Sequence, residues 1–329
     1  MEFASRGGGD GGGRIRLALM IDPDYFGCSG KLGFAETAEY RRAFGPIGSE
    51  HDYSTLPLNG VVATSIDKVS RCSEDWRTFA EIALNHVLAD IEVGFFTPRQ
   101  ISIAYEFGPD AQKASDRAKA VAAFATAISE RQLMLGKSHS AVSYGPTAVT
   151  VAVLGDDPMA AFAKPDSGSI ILERPIGFFK LHYMNEMGLA TDLGQFTENL
   201  MRPRGVIPYT KWAGICDVSG HGLLGALLSM AEFASVDIRI DLSPILAADP
   251  RVLDVPIQCL ENPAESYGKA IELVDPRALS LATLRETAGP LVGLLERANG
   301  VHDTFGASSA RAIGEYQRGT GKVEINWTG

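Results

Sequence analysis

At 329 residues the chain is too long for one ordinary hydrophobic core and suits two domains. A hydrophobic content of 45% with 21% charged residues reads as soluble and globular. The net charge of -10, with Lys and Arg scattered along the chain, excludes a basic nucleic-acid surface. A protein this acidic that handles a polyanion such as ATP needs metal ions or a local cationic pocket. No apolar run approaches the roughly 18 residues that span a bilayer, and the N-terminus lacks a charged-then-apolar signal pattern. Cys28, Cys72, Cys216 and Cys259 are far apart and show no CxxC spacing, which suits a reduced, cytoplasmic protein.

Residues 6–14, "RGGGDGGGR", are read as part of a flexible N-terminal segment over 1–44, with a phosphate-covering loop as the sharper alternative. It is not a Walker A loop, because no Gly-Lys-Ser/Thr follows at the right spacing. "RIRLALMI" (14–21) predicts a strand, and "GVVATSID" (60–67) another that ends on Asp67. Residues 75–89 place Trp76, Phe79, Ala83 and Val87 at helical spacing. "RQISIAYEF" (99–107) alternates like a strand, 110–133 reads as an Ala-rich helix, and "TAVTVAVLG" (147–155) as a buried strand. The order is β-α-β-α-β, a split α/β pattern.

The polar stretch 155–169, with Pro and Gly, is the best boundary, giving an N-terminal domain over 45–156 and a C-terminal domain over 157–329. The second half restarts with "SIILERPIG". It continues through an apolar helix after Asp217, strands at 236–240 and 269–274, a helix at 281–298 and a terminal strand "GKVEIN".

Several carboxylates fall at element ends. Asp67 closes a strand, Asp90 closes a helix, Asp217 closes an apolar run before Gly220-His221-Gly222, and Glu50 lies in a polar turn. An acid at a helix C-terminus faces the negative end of the dipole, which favours a cation nearby. Carboxylates converging from several elements would suit Mg²⁺, which takes hard oxygen ligands and bridges to phosphates. The plainer reading is a set of solvated loop acids, with Asp217 or Ser219 capping the next helix. The two glycines allow a tight turn and close approach of a ligand to the backbone.

"DVSGHGLLGALLSMAE" resembles the "DVTGFGLLGHL" signature of selenophosphate synthetase (selenide, water dikinase), within the aminoimidazole ribonucleotide (AIR) synthase-like, or PurM-like, superfamily. "SIILERPIG", "NPAESYGKAIEL" and "AIGEY" are similar to further segments of that family, so the resemblance covers most of the chain from about residue 27. It implies a two-domain AIR synthase-like α/β fold whose N-terminal domain dimerises through its sheet. It implies Mg²⁺ held by Glu50, Asp67, Asp90 and Asp217 around ATP phosphates, with Gly220 and Gly222 in the nucleotide-binding turn. "GCSGK" looks like the family's catalytic "GCGCK", which puts Cys28 and Lys31 in the reactive positions. Lys137-Ser138-His139-Ser140 looks like the family's "GGHS", which makes His139 catalytic and places Lys137 and Ser140 against the nucleotide. By residue type alone, His139 and His86 are structural histidines, and Cys28 is equally an inert thiol.

The departures are specific. Ser49 replaces one acid, Lys137 and Ser138 replace two glycines, His221 replaces an aromatic residue, and Tyr267 replaces a glycine. The expected function is Mg²⁺-dependent cleavage of ATP with phosphate transfer to a small acceptor, in a homodimer that binds neither nucleic acid nor membrane. Selenide is the acceptor by resemblance. A relative that activates a different small metabolite, favoured by Lys137-Ser138, and a non-catalytic nucleotide-binding relative are the alternatives.

Overall fold

A computed structural model describes residues 54–58, 60–156, 166–173, 176, 212–242, 271–272, 291–296 and 311–326. The predicted strand at 14–21, the glycine-rich segment, Cys28, Lys31, Glu50 and Tyr267 lie outside them.

The first sheet contains β1 (Ser54–Leu58), β2 (Gly60–Ser70), β3 (Thr97–Phe107), β4 (Met134–Val142) and β5 (Ala148–Asp156), in the order β1-β2-β5-β3-β4. β5 is antiparallel to both β2 and β3, so it lies between two strands that run the same way. That is the split β-α-β arrangement expected from the alternation of elements. Helix α1 (Trp76–Glu92) links β2 to β3, and α2 (Ala114–Glu130) links β3 to β4. The helix α1 starts at Asp75, whose Oδ2 accepts hydrogen bonds from the Thr78 amide and hydroxyl, both at 2.8 Å.

The second sheet has the order β7-β10-β6-β11-β8-β12-β9. Its strands are β6 (Ser167–Leu172), β7 (Trp212–Asp217), β8 (Val236–Asp241), β9 (Ile271–Glu272), β10 (Leu291–Glu296), β11 (Arg311–Arg318) and β12 (Val323–Asn326). Helix α3 (Gly222–Ala234) packs on β7, β8 and β10. The sequence expectation at 281–298 is overturned where the chain is described, because Leu291–Glu296 is a strand rather than a helix. It pairs with β6 on one side and β7 on the other. A short apolar run fits a strand buried on both faces as well as a buried helix, and pairing on both edges decides it.

Two cores result from this layering. In the first, Phe79, Ile82, Leu84, Val87 and Ile91 of α1 meet Val69, Ile101, Ile103, Val151 and Val153 of the first sheet, and Ile171, Ile215 and Leu291 of the second sheet join them. The helix α1 therefore lies between the sheets, against β2, β3 and β5 on one side and β7 on the other. This explains why every residue from Phe79 to Ile91 except Asn85 is buried, Glu81, His86 and Asp90 included. Gly155 on β5 lets its last turn approach, because a Cβ there would sit 2.6 Å from Ile91 Cγ2. The second core packs α3 on the opposite face of the second sheet, through Leu223, Leu224, Leu227 and Ala231 against Ile170, Leu172, Val292 and Leu294.

Among the described residues, the other face of the first sheet carries no helix. Thr64, Leu154 and Gln100 form one row across it, and Ile66, Ala152 and Ser102 the next. Ile66 is 68% exposed. Among the described residues, no helix is long and apolar enough to cross a membrane.

Candidate functional site

Asp67 lies within β2, three residues before its end at Ser70, and not at the strand terminus as its sequence context suggested. The strand continues through Lys68, Val69 and Ser70 because these residues pair with Thr150, Val149 and Ala148 of β5. Alternation along β2 turns Ala63, Ser65, Asp67 and Val69 towards α1. Asp67 Oδ2 lies 2.6 Å from Nε2 of His86 on α1, and Asp67 Oδ1 accepts the Lys68 amide at 2.8 Å.

Asp90 occupies the last turn of α1, as expected. The Ser65 hydroxyl donates to Asp90 Oδ2 at 2.6 Å. His86 and Asp90 are one helical turn apart and Ser65 and Asp67 are alternate residues of one strand, so both pairs fall along a single helix-strand seam. All except Asp67 are buried. Ser65 and His86 are the neighbours of Asp90 and Asp67 that sequence reasoning missed. The available signal was i,i+4 spacing on the helix set against i,i+2 spacing on the strand.

Asp217 ends β7, as expected, and is buried. Its register partner is Leu291, and Ile215 two residues earlier pairs with Gly293, which pairs in turn with Ile171. Leu291, Ile215 and Ile171 all face the first core. Asp217 thus shares the face of the second sheet that is directed at α1. The three described acids border one layer: Asp67 from the first sheet, Asp90 from the helix and Asp217 from the second sheet.

After Asp217 the chain turns through Gly220 and His221 into α3. Gly222 has φ of +66°, a left-handed conformation that any side chain would strain. The N-cap position falls on His221 and not on Asp217 or Ser219, the caps of the plainer reading. No side-chain cap hydrogen bond closes this end. The turn is closed through the backbone, by Gly222 N donating to Ser219 O at 2.9 Å.

Lys137, Ser138, His139 and Ser140 all lie on β4, an exposed edge strand. His139 pairs in register with Ala104, which is aligned through Thr150 with Lys68. The pleat therefore directs His139 to the helix-free face of the first sheet, the opposite face from Asp67. The structure brings the three acids to one layer and turns His139 away from them, whereas Ser138 and Ser140, aligned through Ile103 and Tyr105 with Asp67 and Val69, share the acids' face of the first sheet.

Among the described residues, no three His, Cys, Asp or Glu side chains cluster closely enough to hold a metal by themselves. Mg²⁺ does not need such a cage, because it retains several waters and takes one or two carboxylates together with substrate phosphates. The hard carboxylate oxygens of Asp67, Asp90 and Asp217 fit that mode of binding. A closed zinc-type set would not be made from them.

No family model matches the sequence. No characterised protein matches it by sequence either. Solved structures do match in fold. ThiL complexed with AMPPCP and TMP has a TM-score of 0.66 at 14% identity, over 89% of this chain and 93% of its own. Thiamine monophosphate kinase from Aquifex aeolicus has a TM-score of 0.63 at 13% identity, over 88% and 96%. The hydrogenase maturation protein HypE from E. coli has a TM-score of 0.58 at 15% identity, over 89% and 93%. The chain has the two-domain AIR synthase-like (PurM-like) fold that these proteins share.

Proposed function

We propose that the protein is an ATP-dependent phosphotransferase that acts on Mg·ATP and passes phosphate to a small acceptor. The observation that carries this reading is the placement of Asp67, Asp90 and Asp217 around one layer, from two sheets and the helix between them. The thiamine monophosphate kinase structure of the same fold, solved with AMPPCP and TMP, supports it. Asp67, Asp90 and Asp217, with Glu50 as a fourth acid, would hold the metal. Bound there, Mg²⁺ would neutralise charge on the phosphates. Phosphoryl transfer asks mainly for such positioning and charge compensation. The chain's part is to fix its carboxylates on rigid elements, and the left-handed Gly222 leaves the backbone bare at the turn after Asp217.

The acceptor depends on two groups of residues. If Cys28 and Lys31 act as in selenophosphate synthetase, a thiolate beside an ammonium handles a soft selenium nucleophile. By the resemblance Lys137 and Ser138 stand where that family keeps two glycines; Ser138 shares the face of Asp67, and the added bulk and charge favour a different acceptor. Phosphorus NMR of ATP and Mg²⁺ with selenide or thiamine monophosphate as acceptor tests the reading. Selenide-stimulated AMP that is lost in Cys28→Ala identifies the selenide reaction. ADP formation that survives Cys28→Ala and is lost in Lys137→Ala identifies the other. Absence of nucleotide turnover with every acceptor would contradict an enzymatic role.

The helix-free face of the first sheet is proposed as the contact between two copies of the chain. Its apolar residues Ile66 and Leu154 are exposed on an otherwise small and neutral centre. A homodimer is expected by light scattering at micromolar concentration, and Ile66→Asp is expected to yield monomers. A monomeric wild type would contradict this assembly.

A further inference from the structure

The seam between β2 and α1 is built reciprocally. A strand residue, Ser65, holds the helix acid Asp90, and a helix residue, His86, holds the strand acid Asp67, each contact at 2.6 Å. We propose that His86 is a positioning residue that sets the Asp67 carboxylate for metal binding. This inference rests on the reading of Asp67 as a metal ligand.

The geometry defines what His86 does. An imidazole nitrogen 2.6 Å from a carboxylate oxygen carries the proton, so Nε2–H donates to Asp67 Oδ2. The ring is 1% exposed and sits on α1 between two sheets, so its surroundings fix its rotamer. Asp67 is 24% exposed on its side chain and would otherwise rotate about its terminal torsion. The Lys68 amide on Oδ1 and His86 on Oδ2 together fix the plane of the carboxylate. A carboxylate oxygen has two acceptor sites, so one hydrogen bond on each oxygen does not by itself exclude a cation. Hydrogen-bonded partners behind metal ligands act in this way, orienting the ligand before the ion arrives, and their removal costs about 10–100-fold in metal affinity. The role differs from core packing, because it depends on the N–H donor and not on ring volume.

The test is Mn²⁺ affinity of the nucleotide-free protein, read from the electron paramagnetic resonance signal of free Mn²⁺, in wild type, Asp67→Asn, His86→Leu and His86→Gln. Asp67→Asn is expected to lose binding. His86→Leu should weaken it about 10–100-fold. His86→Gln, whose amide can donate at the same place, should restore most of it. Unchanged affinity in Asp67→Asn would overturn the metal reading, and this inference with it. Loss in Asp67→Asn with wild-type affinity in His86→Leu would overturn this inference alone, and so would equal losses in the Leu and Gln variants. If His86→Leu does not fold, a Mg²⁺ titration of nitrogen-15-histidine-labelled wild type decides. The His86 ring signals, assigned by their absence in His86→Gln, are expected to shift, and unmoved signals would overturn the proposal.

Discussion

Asp217→Asn is expected to lower Mg²⁺-dependent ATP turnover by at least about 100-fold, above the range for residues that only support a metal ligand. The substitution preserves shape and removes the charge that would face the cation. Asp217 is buried at the end of β7 on the face shared with Ile215 and Leu291. Asparagine fits that space without a cavity, so circular dichroism and Tm should stay close to wild type. Asp67→Asn should behave in the same way, because Asp67 belongs to the opposing sheet and borders the same layer. The pair of measurements separates chemistry from folding. A structural acid would lose Tm and activity together, whereas a metal ligand loses activity alone. Full turnover in either variant with a normal circular dichroism spectrum would contradict the carboxylate site.

Phe124→Ala is expected to destabilise the protein by about 3–5 kcal/mol, the usual result of emptying a fully buried aromatic position. Phe124 of α2 is 0% exposed. Its ring meets Phe79 of α1 edge-on at 5.6 Å between centroids and Tyr105 of β3 edge-on at 5.6 Å. It therefore links both helices to the sheet, and the position of α1 sets His86 and Asp90. Burial also pushes the Tyr105 phenol up to about 12 from 10.0. A raised pKa means that the folded state resists ionisation. This contribution to stability is complete below pH 10.0, the ordinary value, and is lost as pH rises through about 12. The Phe124→Ala cavity admits water to the phenol, so phenolate absorbance should appear at lower pH in the variant. Denaturant unfolding with a midpoint equal to wild type, or an unchanged phenolate titration, would show that this cluster does not hold the layers together.

The parts of the fold that the sequence disclosed were those whose cause is local. The apolar spacing of 75–89 identified α1, and alternation identified β3, although the strand begins at Thr97. The reading of Asp217 at the end of an apolar run survived, and that run is strand β7, because the run and the glycine turn are adjacent in sequence. Asp67 was misplaced at a strand end because Lys68-Val69-Ser70 is polar at two of its three positions, and only pairing with β5 keeps it extended. Strand β4 was not expected, since "MLGKSHSAV" is an exposed edge with no buried face to impose alternation. Residues 291–296 were read as helix because a run buried on both sides has no period to distinguish the two states. The contact between His86 and Asp67 depends on α1 folding back over β2, so the i,i+4 spacing on the helix and the i,i+2 spacing on the strand become a signal only once the two elements are paired.

The most direct measurement is calorimetric titration of wild-type protein with the ATP analogue AMPPCP, in Mg²⁺ and again in excess chelator. Binding is expected in Mg²⁺, lost in chelator, and lost equally in Asp217→Asn with Mg²⁺ present. Binding that persists undiminished in chelator, or in Asp217→Asn, would contradict a nucleotide site held together by carboxylates and a divalent cation.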